Sequence, residues 1–517
     1  MKTPCDEMSM TSGTAGAPCT AKAGPWILAA TILASSMAFI DGTIVNVAAP
    51  RFQSAFHATV VDVQWVIESY GLFLSSLILV GGALGDRLGR RAVFLAGVVV
   101  FAVASVACGL APGIPLLVIA RCVQGVGAAL LVPGSLAIIS ASFDEKARGR
   151  AIGTWSGFTA ITTALGPVLG GWLIEHASWR WAFFVNVPLA AAVVILALCH
   201  VPESRNSQSD SLDWSGAVLA TASLGAVVGG LLESSSLGWR NPFVIASVLG
   251  GLFLAVLFLR VEARRSSPMV SLSLFKSRAF LGSNLLTLFL YAAIGIFFFL
   301  FPLTLMQVHG YSATAAGAAS LPIILLLFAL SRWSGGLVAK FGGKIPLLAG
   351  PLIVAFGFVL FAVFSRGGSY WTTFFPASLA LGLGMAITVA PLTTVVMGSV
   401  DSNHAGAASG INNAVARVAG VLAIAIFGMV MVKVFGTNLD RDLATLSLPA
   451  ETVREIRSKE IELAGMELPR DLETDARAQV RTAVSEAFLS GFRVVLLCCS
   501  GLAIGSAFTA WRLVPKK

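Results

Sequence analysis

GGALGDRLGRR, residues 81–91, recurs in altered form as SGGLVAKFGGK at 334–344. Gly82, Leu84, Gly89 and Arg91 fall on Gly335, Leu337, Gly342 and Lys344 at an offset of 253. A second echo sets Gly125, Gly127, Asp144, Gly149 and Gly153 against Gly382, Gly384, Asp401, Gly406 and Gly410, now at 257. A chain that meets itself twice at nearly one spacing is built from two copies of a unit. Asp86 falls on Ala339 in this register, so the copies differ in chemistry.

The composition says what the unit is made of. The 517 residues are 56% hydrophobic and only 12% charged, whereas a soluble domain carries about 25% charged residues. Apolar runs of the length that crosses a bilayer, about 18 residues or more, recur along the chain. Fourteen spans are expected, near 25–49, 62–82, 91–111, 115–140, 151–174, 181–200, 214–233, 242–260, 279–303, 313–332, 345–364, 371–399, 408–432 and 487–511. The echoes lie eight spans apart, which two six-span halves separated by two inserted spans explain. The expected fold is an all-α polytopic membrane protein with two six-helix bundles, at 25–200 and 266–511, flanking a cytoplasmic linker and inserted pair at 201–265. Residues 1–24 form a polar tail expected to be disordered, and 512–517 a second tail. Both copies of each echo face the same side, as in the parallel repeats of transporters, whose substrate site lies between the halves.

The formal charge of +9 reports topology and not nucleic-acid binding. Lys and Arg gather in the loops after even-numbered spans, among them Arg87, Arg90, Arg91, Lys146, Arg148 and Arg150. The opposite short loops hold only Arg51, Arg180, Arg240 and Arg366. Positive-inside logic puts both termini in the cytoplasm of a multi-pass cell-membrane protein. The first span is too long for a signal-peptide core of about 7–15 residues and is expected to stay in the mature protein. Residues 435–484 form a charged extracytoplasmic loop with helical spacing, read either as a solvated cap or as a partner-docking surface.

Several function classes drop out. No G-x-x-x-x-G-K-[ST] occurs, and GGKIP at 342–346 fails that pattern, so the chain carries no ATP-driving P-loop. His57, His176, His200, His309 and His404 are scattered without an HExxH, so neither an enzyme nor a metal site is indicated. The seven cysteines show no metal or redox spacing. No cofactor is expected, and a monomer that couples to a proton gradient is the simplest working unit.

Ionisable residues inside the spans are few. Asp41 lies roughly 13 Å, Glu68 roughly 9 Å and Arg121 roughly 10 Å from the outer ends of their helices. An unpaired charge at such depth costs a few kcal/mol or more, so these groups pair or face water. One reading is a buried ion pair that only fixes packing. The other is a proton site, because burial and a neighbouring guanidinium act on a carboxyl in opposite directions. Arg121 keeps its own proton and would bias the acid. Arg417 is a second lone cation, one turn from Asn413 and near Asn412. It contributes either to helix–helix hydrogen bonding or to a central cavity. Asn46, Tyr70, Gln124 and Tyr291 are further candidates for that cavity; packing or lipid contact is the alternative for Tyr291 in the run LFLYAAIGIFFFLFPL at 288–303.

Taken together, these motifs resemble the major facilitator superfamily, in its fourteen-span drug:proton antiporter branch. Asp41-Gly42-Thr43-Ile44-Val45-Asn46 is similar to that family's first-span signature, and Gly82 to Arg91 to its loop motif. Arg121, Gln124, Gly125 and Gly127 resemble its proton-transfer motif. Gly153, Gly166, Pro167, Gly170 and Gly171 resemble its antiporter motif, with Thr162 where that pattern has glycine. The resemblance implies proton-driven export of amphiphilic or cationic small molecules by alternating access, with proton-coupled transport of a specific metabolite as the alternative. It also implies a gate built from Gly82, Asp86, Arg87, Gly89, Arg90 and Arg91, in which Asp86 sits against another helix's N-terminus or pairs with Arg90 or Arg91. The glycines of the fifth span would form the seam about which the halves rock.

Overall fold

Backbone amides in a bilayer find no water, so apolar spans close their hydrogen bonds within helices. The computed structural model describes residues 23–515 apart from 59, 206–213, 266–267, 269–271, 365–368, 402–403, 447, 467 and 470–472. The polar N-terminal tail and parts of the linker therefore lie outside the described residues.

The N-terminal half contains α1 (Gly24–Phe56), α2 (Val60–Leu88), α3 (Arg90–Leu110), α4 (Ile114–Ser142) and α5 (Glu145–His176). Its sixth span, α6, is in two pieces, Trp181–Phe184 and Asn186–His200. The inserted pair is α7 (Trp214–Leu237) and α8 (Pro242–Glu262), packed on each other, with α7 against α2. The second half contains α9 (Arg278–Gln307), α10 (Ala313–Ala318 and Leu321–Gly335), α11 (Lys344–Phe364) and α12 (Tyr370–Thr373 and Phe375–Gly398). It closes with α13 (Ala405–Leu443) and α14 (Thr474–Leu513). Thirteen helices among the described residues are long and apolar enough to cross a membrane. The fourteenth span is α5, whose 32 residues are rich in Gly, Thr and Ser but pack along α1 and α10. The protein is an all-α membrane protein of two six-helix bundles and two inserted helices.

The last two spans are longer than their apolar cores. Helices of 39 and 40 residues reach about 60 Å, twice the hydrocarbon thickness of about 30 Å. The loop expected over 435–484 thus begins and ends in the projecting ends of α13 and α14. Charged residues mark where a helix leaves lipid, not where it stops. Between them lie a short helix, Ala450–Ser458, and a 3-10 turn, Glu460–Gly465. Ile456 and Met466 are buried beneath them.

The glycine echoes become contacts. A Cβ on Gly82 would strike the backbone of Gly406, and one on Gly335 the backbone of Gly149. Gly410 lies against Ile78 and Leu79, while its counterpart Gly153 lies against Ser331 and Arg332. Within the halves, Gly127 meets Gly97 and Phe101, and Gly384 meets Gly350 and Val354. Each contact maps onto its partner by the same offsets of 253 and 257. Two crossings between the halves, α2 with α13 and α5 with α10, are therefore one crossing used twice.

Candidate functional site

Asp41 and Arg121 are both fully buried and form an ion pair through Oδ2 and Nη1. Helix α4 supplies two polar side chains one turn apart, because residues three apart share a face. Gln124 donates from Nε2 to Asp41 Oδ1 at 2.7 Å and accepts from Arg121 Nη1 at 2.7 Å. Asn186, at the start of the second piece of α6, donates to the same Oδ1 at 3.1 Å. Ser105 of α3 ties the set together, accepting from Gln124 at 2.7 Å and Asn186 at 3.0 Å. Arg121 Nε donates to the Val66 carbonyl at 3.1 Å, and its guanidinium carbon stands 4.4 Å from the centre of the Tyr70 ring. Tyr70 is fixed by its hydroxyl, which donates to the Ala38 carbonyl at 2.9 Å. Five helices thus converge on one carboxylate. Arg121 Nη2 and Asn186 Oδ1 are buried and find no hydrogen-bond partner among the described residues, so the network has spare donor and acceptor capacity.

Glu68 is not part of this set. At about 100° per residue, it points away from the face of α2 that carries Val66 and Tyr70. It lines a cleft between α2 and the inserted pair, together with Trp65, Glu233 and Phe243. Equal depth in two spans says nothing about azimuth, and azimuth separates Glu68 from Asp41. Asn412 donates to Thr287 at 2.7 Å and Asn284 at 3.3 Å, joining α13 to α9. Asn413 bonds back to the Ser409 carbonyl at 2.9 Å. Asn412 therefore joins two helices, whereas the Asn413 amide is bonded within its own helix. Arg417 is half-buried at the interface of the halves, with Tyr70 as its electrostatic neighbour. Tyr291 packs against the hydrophobic core of the second half. The fifth-span glycines divide: Gly153 meets α10 of the other half, whereas Gly166 and Gly170 receive Thr43 and Ile44 of α1. Only the first part of that span lies on the seam. The side chain of Asn46, with Pro167 and Gly171, lies outside the described residues.

At the far end of α2, Asp86 is bound from two sides. Oδ1 accepts from Arg90 Nη2 at 2.8 Å and Nε at 3.0 Å, and Oδ2 from the Ala407 amide at 2.9 Å. Ala407 lies in the first turn of α13, where amides lack helical partners and the dipole favours an anion. Arg87 donates to the Pro268 carbonyl at 2.7 Å. Arg91 turns instead to the Val201 carbonyl at 3.0 Å. Glu203, which follows α6, caps the start of α3 by accepting from the amides of Arg91 and Ala92, both at 3.0 Å. Gly89 between them has φ +118°, and a Cβ there would meet the Glu203 carboxylate at 2.8 Å. The halves are closed against each other at this end.

The sequence model described as Major Facilitator Superfamily matches residues 31–214 and 214–424. The chain belongs to the major facilitator superfamily. This facilitator is 35% identical over 500 residues to the multidrug resistance protein Stp of Mycobacterium tuberculosis (strain CDC 1551 / Oshkosh), covering 95% of this chain and 92% of that one. It is 31% identical over 510 residues to the tetracenomycin C resistance and export protein of Streptomyces glaucescens, covering 96% and 94%. The crystal structure of the human organic anion transporter MFSD10 (TETRAN) superposes with a TM-score of 0.62 at 15% identity, over 94% of this chain and 99% of that one. That likeness speaks to fold alone. The chain is therefore a multi-pass membrane transporter of small molecules and not an enzyme. Sequence reasoning missed Ser105, Asn186 and Glu203 in this facilitator. Asn186 lies in the run WRWAFFVNVP at 179–188, where a lone polar residue in an apolar span is the signal that points to it.

Proposed function

We propose that this transporter is a proton-driven exporter of amphiphilic or cationic small molecules. The observation that carries the reading is the fully buried Asp41–Arg121 pair, held by side chains from α3, α4 and α6. A buried pair is costly when one partner alone is neutralised. A proton arriving on Asp41 removes the counter-charge of Arg121 and loosens its hold on the Val66 carbonyl of α2. The same helix carries Asp86 at its other end, so release at Asp41 is transmitted along α2 to the latch on α13. With both termini in the cytoplasm, the closed end is the cytoplasmic one, and protons reach Asp41 from outside. Inward-facing, a cationic substrate favours the ionised acid and the proton leaves to the cytoplasm. Energy comes from the proton gradient with no cofactor, and one chain is sufficient. The names of the resistance and export relatives agree with outward transport.

Asp41→Asn keeps the shape but cannot gain or lose a proton. In proteoliposomes with an imposed pH gradient, coupled ethidium flux should fall to the protein-free level, while the purified variant stays monodisperse. Normal coupled flux would sink the assignment. Ethidium moving in the same direction as the protons would replace export by uptake.

A further inference from the structure

Arg417 sits inside the membrane-spanning part of α13 without a counter-charge. Gly410, Ala414 and Arg417 recur at the spacing that puts side chains on one helix face. Gly410 lies against Ile78 and Leu79 of α2, and Ala414 belongs to the buried cluster that holds Tyr70, Leu74 and Ile78. Arg417 therefore continues the face of α13 that is turned to the N-terminal half. About 18 Å of helix separates it from the start of α13 at Ala405, which places it near the middle of a hydrocarbon slab about 30 Å thick. Packing around α13 loosens just before this level. Every residue from Ala405 to Ile411 is buried, whereas from Asn412 to Val418 only Ala414 is. Arg417 is half-buried, makes no hydrogen bond or ion pair among the described residues, and has Tyr70 as its electrostatic neighbour. Tyr70 is no counter-ion, because it is a neutral phenol whose hydroxyl donates to the Ala38 carbonyl. The guanidinium of Arg121 lies 4.4 Å from the centre of the same ring but is matched by Asp41. Around Tyr70 two guanidiniums share one carboxylate, and the unmatched charge comes from the second half.

We propose that Arg417 binds a carboxylate carried by the transported amphiphile. An unpaired guanidinium at this depth is costly, so its counter-ion comes from outside the chain. The planar fork of a guanidinium matches a carboxylate with two parallel hydrogen bonds. The neighbouring wall sets the rest of the molecule. No charged residue follows on α13 from Val418 to Val432, so the body of the ligand is apolar. Transporters built from parallel repeats hold their substrate between the halves near the midplane, which is where Arg417 sits. The inference rests on the transport reading above and adds a second point of recognition to it. A cationic group draws on Asp41, an acid draws on Arg417, and a zwitterion draws on both.

The test compares dansyl-leucine with dansyl-leucinamide, which differ in carrying a carboxylate or a neutral amide. Binding to the full-length protein in phosphatidylcholine nanodiscs is read by dansyl fluorescence anisotropy, with empty nanodiscs as the blank. The wild type should bind the acid about tenfold or more tightly than the amide, the factor expected of hydrogen bonds to a charged group. Arg417→Gln should bind the two alike, losing about tenfold on the acid and little on the amide. Its retained affinity for the amide shows that the variant is folded. Arg417→Lys restores the charge without the fork and should recover the preference to within about threefold of wild type. No pH gradient is applied, so the result can fail while the coupled flux tested through Asp41 stands, and can hold where that flux is absent. Absence of saturable acid binding, equal affinity for acid and amide in the wild type, an acid preference that survives in Arg417→Gln, or complete displacement of the acid by an equal concentration of sulfate would each overturn the inference.

Discussion

The two halves share their glycine contacts but fill their centres with opposite materials. In the N-terminal half, Asp41, Ser105, Arg121, Gln124 and Asn186 form a buried polar network. In the second half, Phe297, Phe301, Phe358, Phe361 and Phe374 close on one another, with ring centres 4.9 Å apart for Phe297 and Phe361 and 5.1 Å for Phe301 and Phe361. At the repeat offsets, Ser105 falls on Phe358 and Arg121 on Ser378. Backbone pairing therefore does not depend on what fills the bundle. Glycines at the crossings set the architecture, and the centre is left free to specialise. On the proposed mechanism, a half packed with phenyl rings is a rigid partner against which a half that gains and loses a proton would move.

The comparison breaks most decisively at the aromatic centre. Phe361→Ala should destabilise the protein by about 3–5 kcal/mol, the usual cost of emptying a buried phenyl site. Reduced thermal or denaturant resistance of the purified protein checks this. The pH dependence of whatever transport survives should keep its midpoint. A shifted midpoint in Phe361→Ala would show that the second half takes part in titration and would erase the division of labour.

A smaller asymmetry lies at the two crossings. Where α2 meets α13, Asp86 reaches a first-turn amide; beyond the crossing of α5 with α10, Ala339 stands in its place, in the short helix Leu337–Phe341 that follows α10. The partner helix explains why. α13 starts at Ala405, directly at the crossing, so the Ala407 amide has no helical acceptor. α5 starts earlier, at Glu145 with Asp144 as its cap, so the amide of Arg150, the counterpart of Ala407, is already inside the helix. A carboxylate at residue 339 would meet no free donor from that backbone. Asp86→Asn keeps the size of the side chain and removes its charge. Hydrogen bonds to charged groups are worth about 1.5–3 kcal/mol, so the ratio of closed to open gates should fall about 10- to 100-fold. Spin-label distances across the gate end of α2 and α13 report that ratio, and an unchanged distribution would deny Asp86 the latch.

What could be read from the sequence follows the physics of each feature. Spans and halves were legible because a bilayer imposes length and apolarity residue by residue, and because repeated glycines preserve an offset. The Asp41–Arg121 pairing was legible as depth, since two charges in one apolar slab need each other. Glu68 was misplaced because hydropathy fixes depth but not the face of a helix. Ser105 and Asn186 were missed because their significance depends on side chains of other helices, Gln124 and Asn186 for Ser105 and Asp41 for Asn186. The helical extensions beyond the last two spans were not legible, because α13 and α14 continue as helices after their apolar stretch ends.

Glu203 tests whether the gate depends on the bond between halves or on the loop that presents it. It lies outside the loop motif, yet it holds two amides at the start of α3 and packs on the Gly89 turn that sets Arg90 beside Asp86. Glu203→Gln retains an acceptor and loses the charge, and a charge at a helix N-terminus is worth about 0.3–1 kcal/mol. The closed gate should therefore weaken about two- to fivefold in the same spin-label measurement, less than in Asp86→Asn. An equal opening in the two variants would move the origin of closure from the Asp86–Ala407 bond to the shape of the loop. The contrast between the crossings would then rest on Gly89 and Glu203 and not on one missing carboxylate.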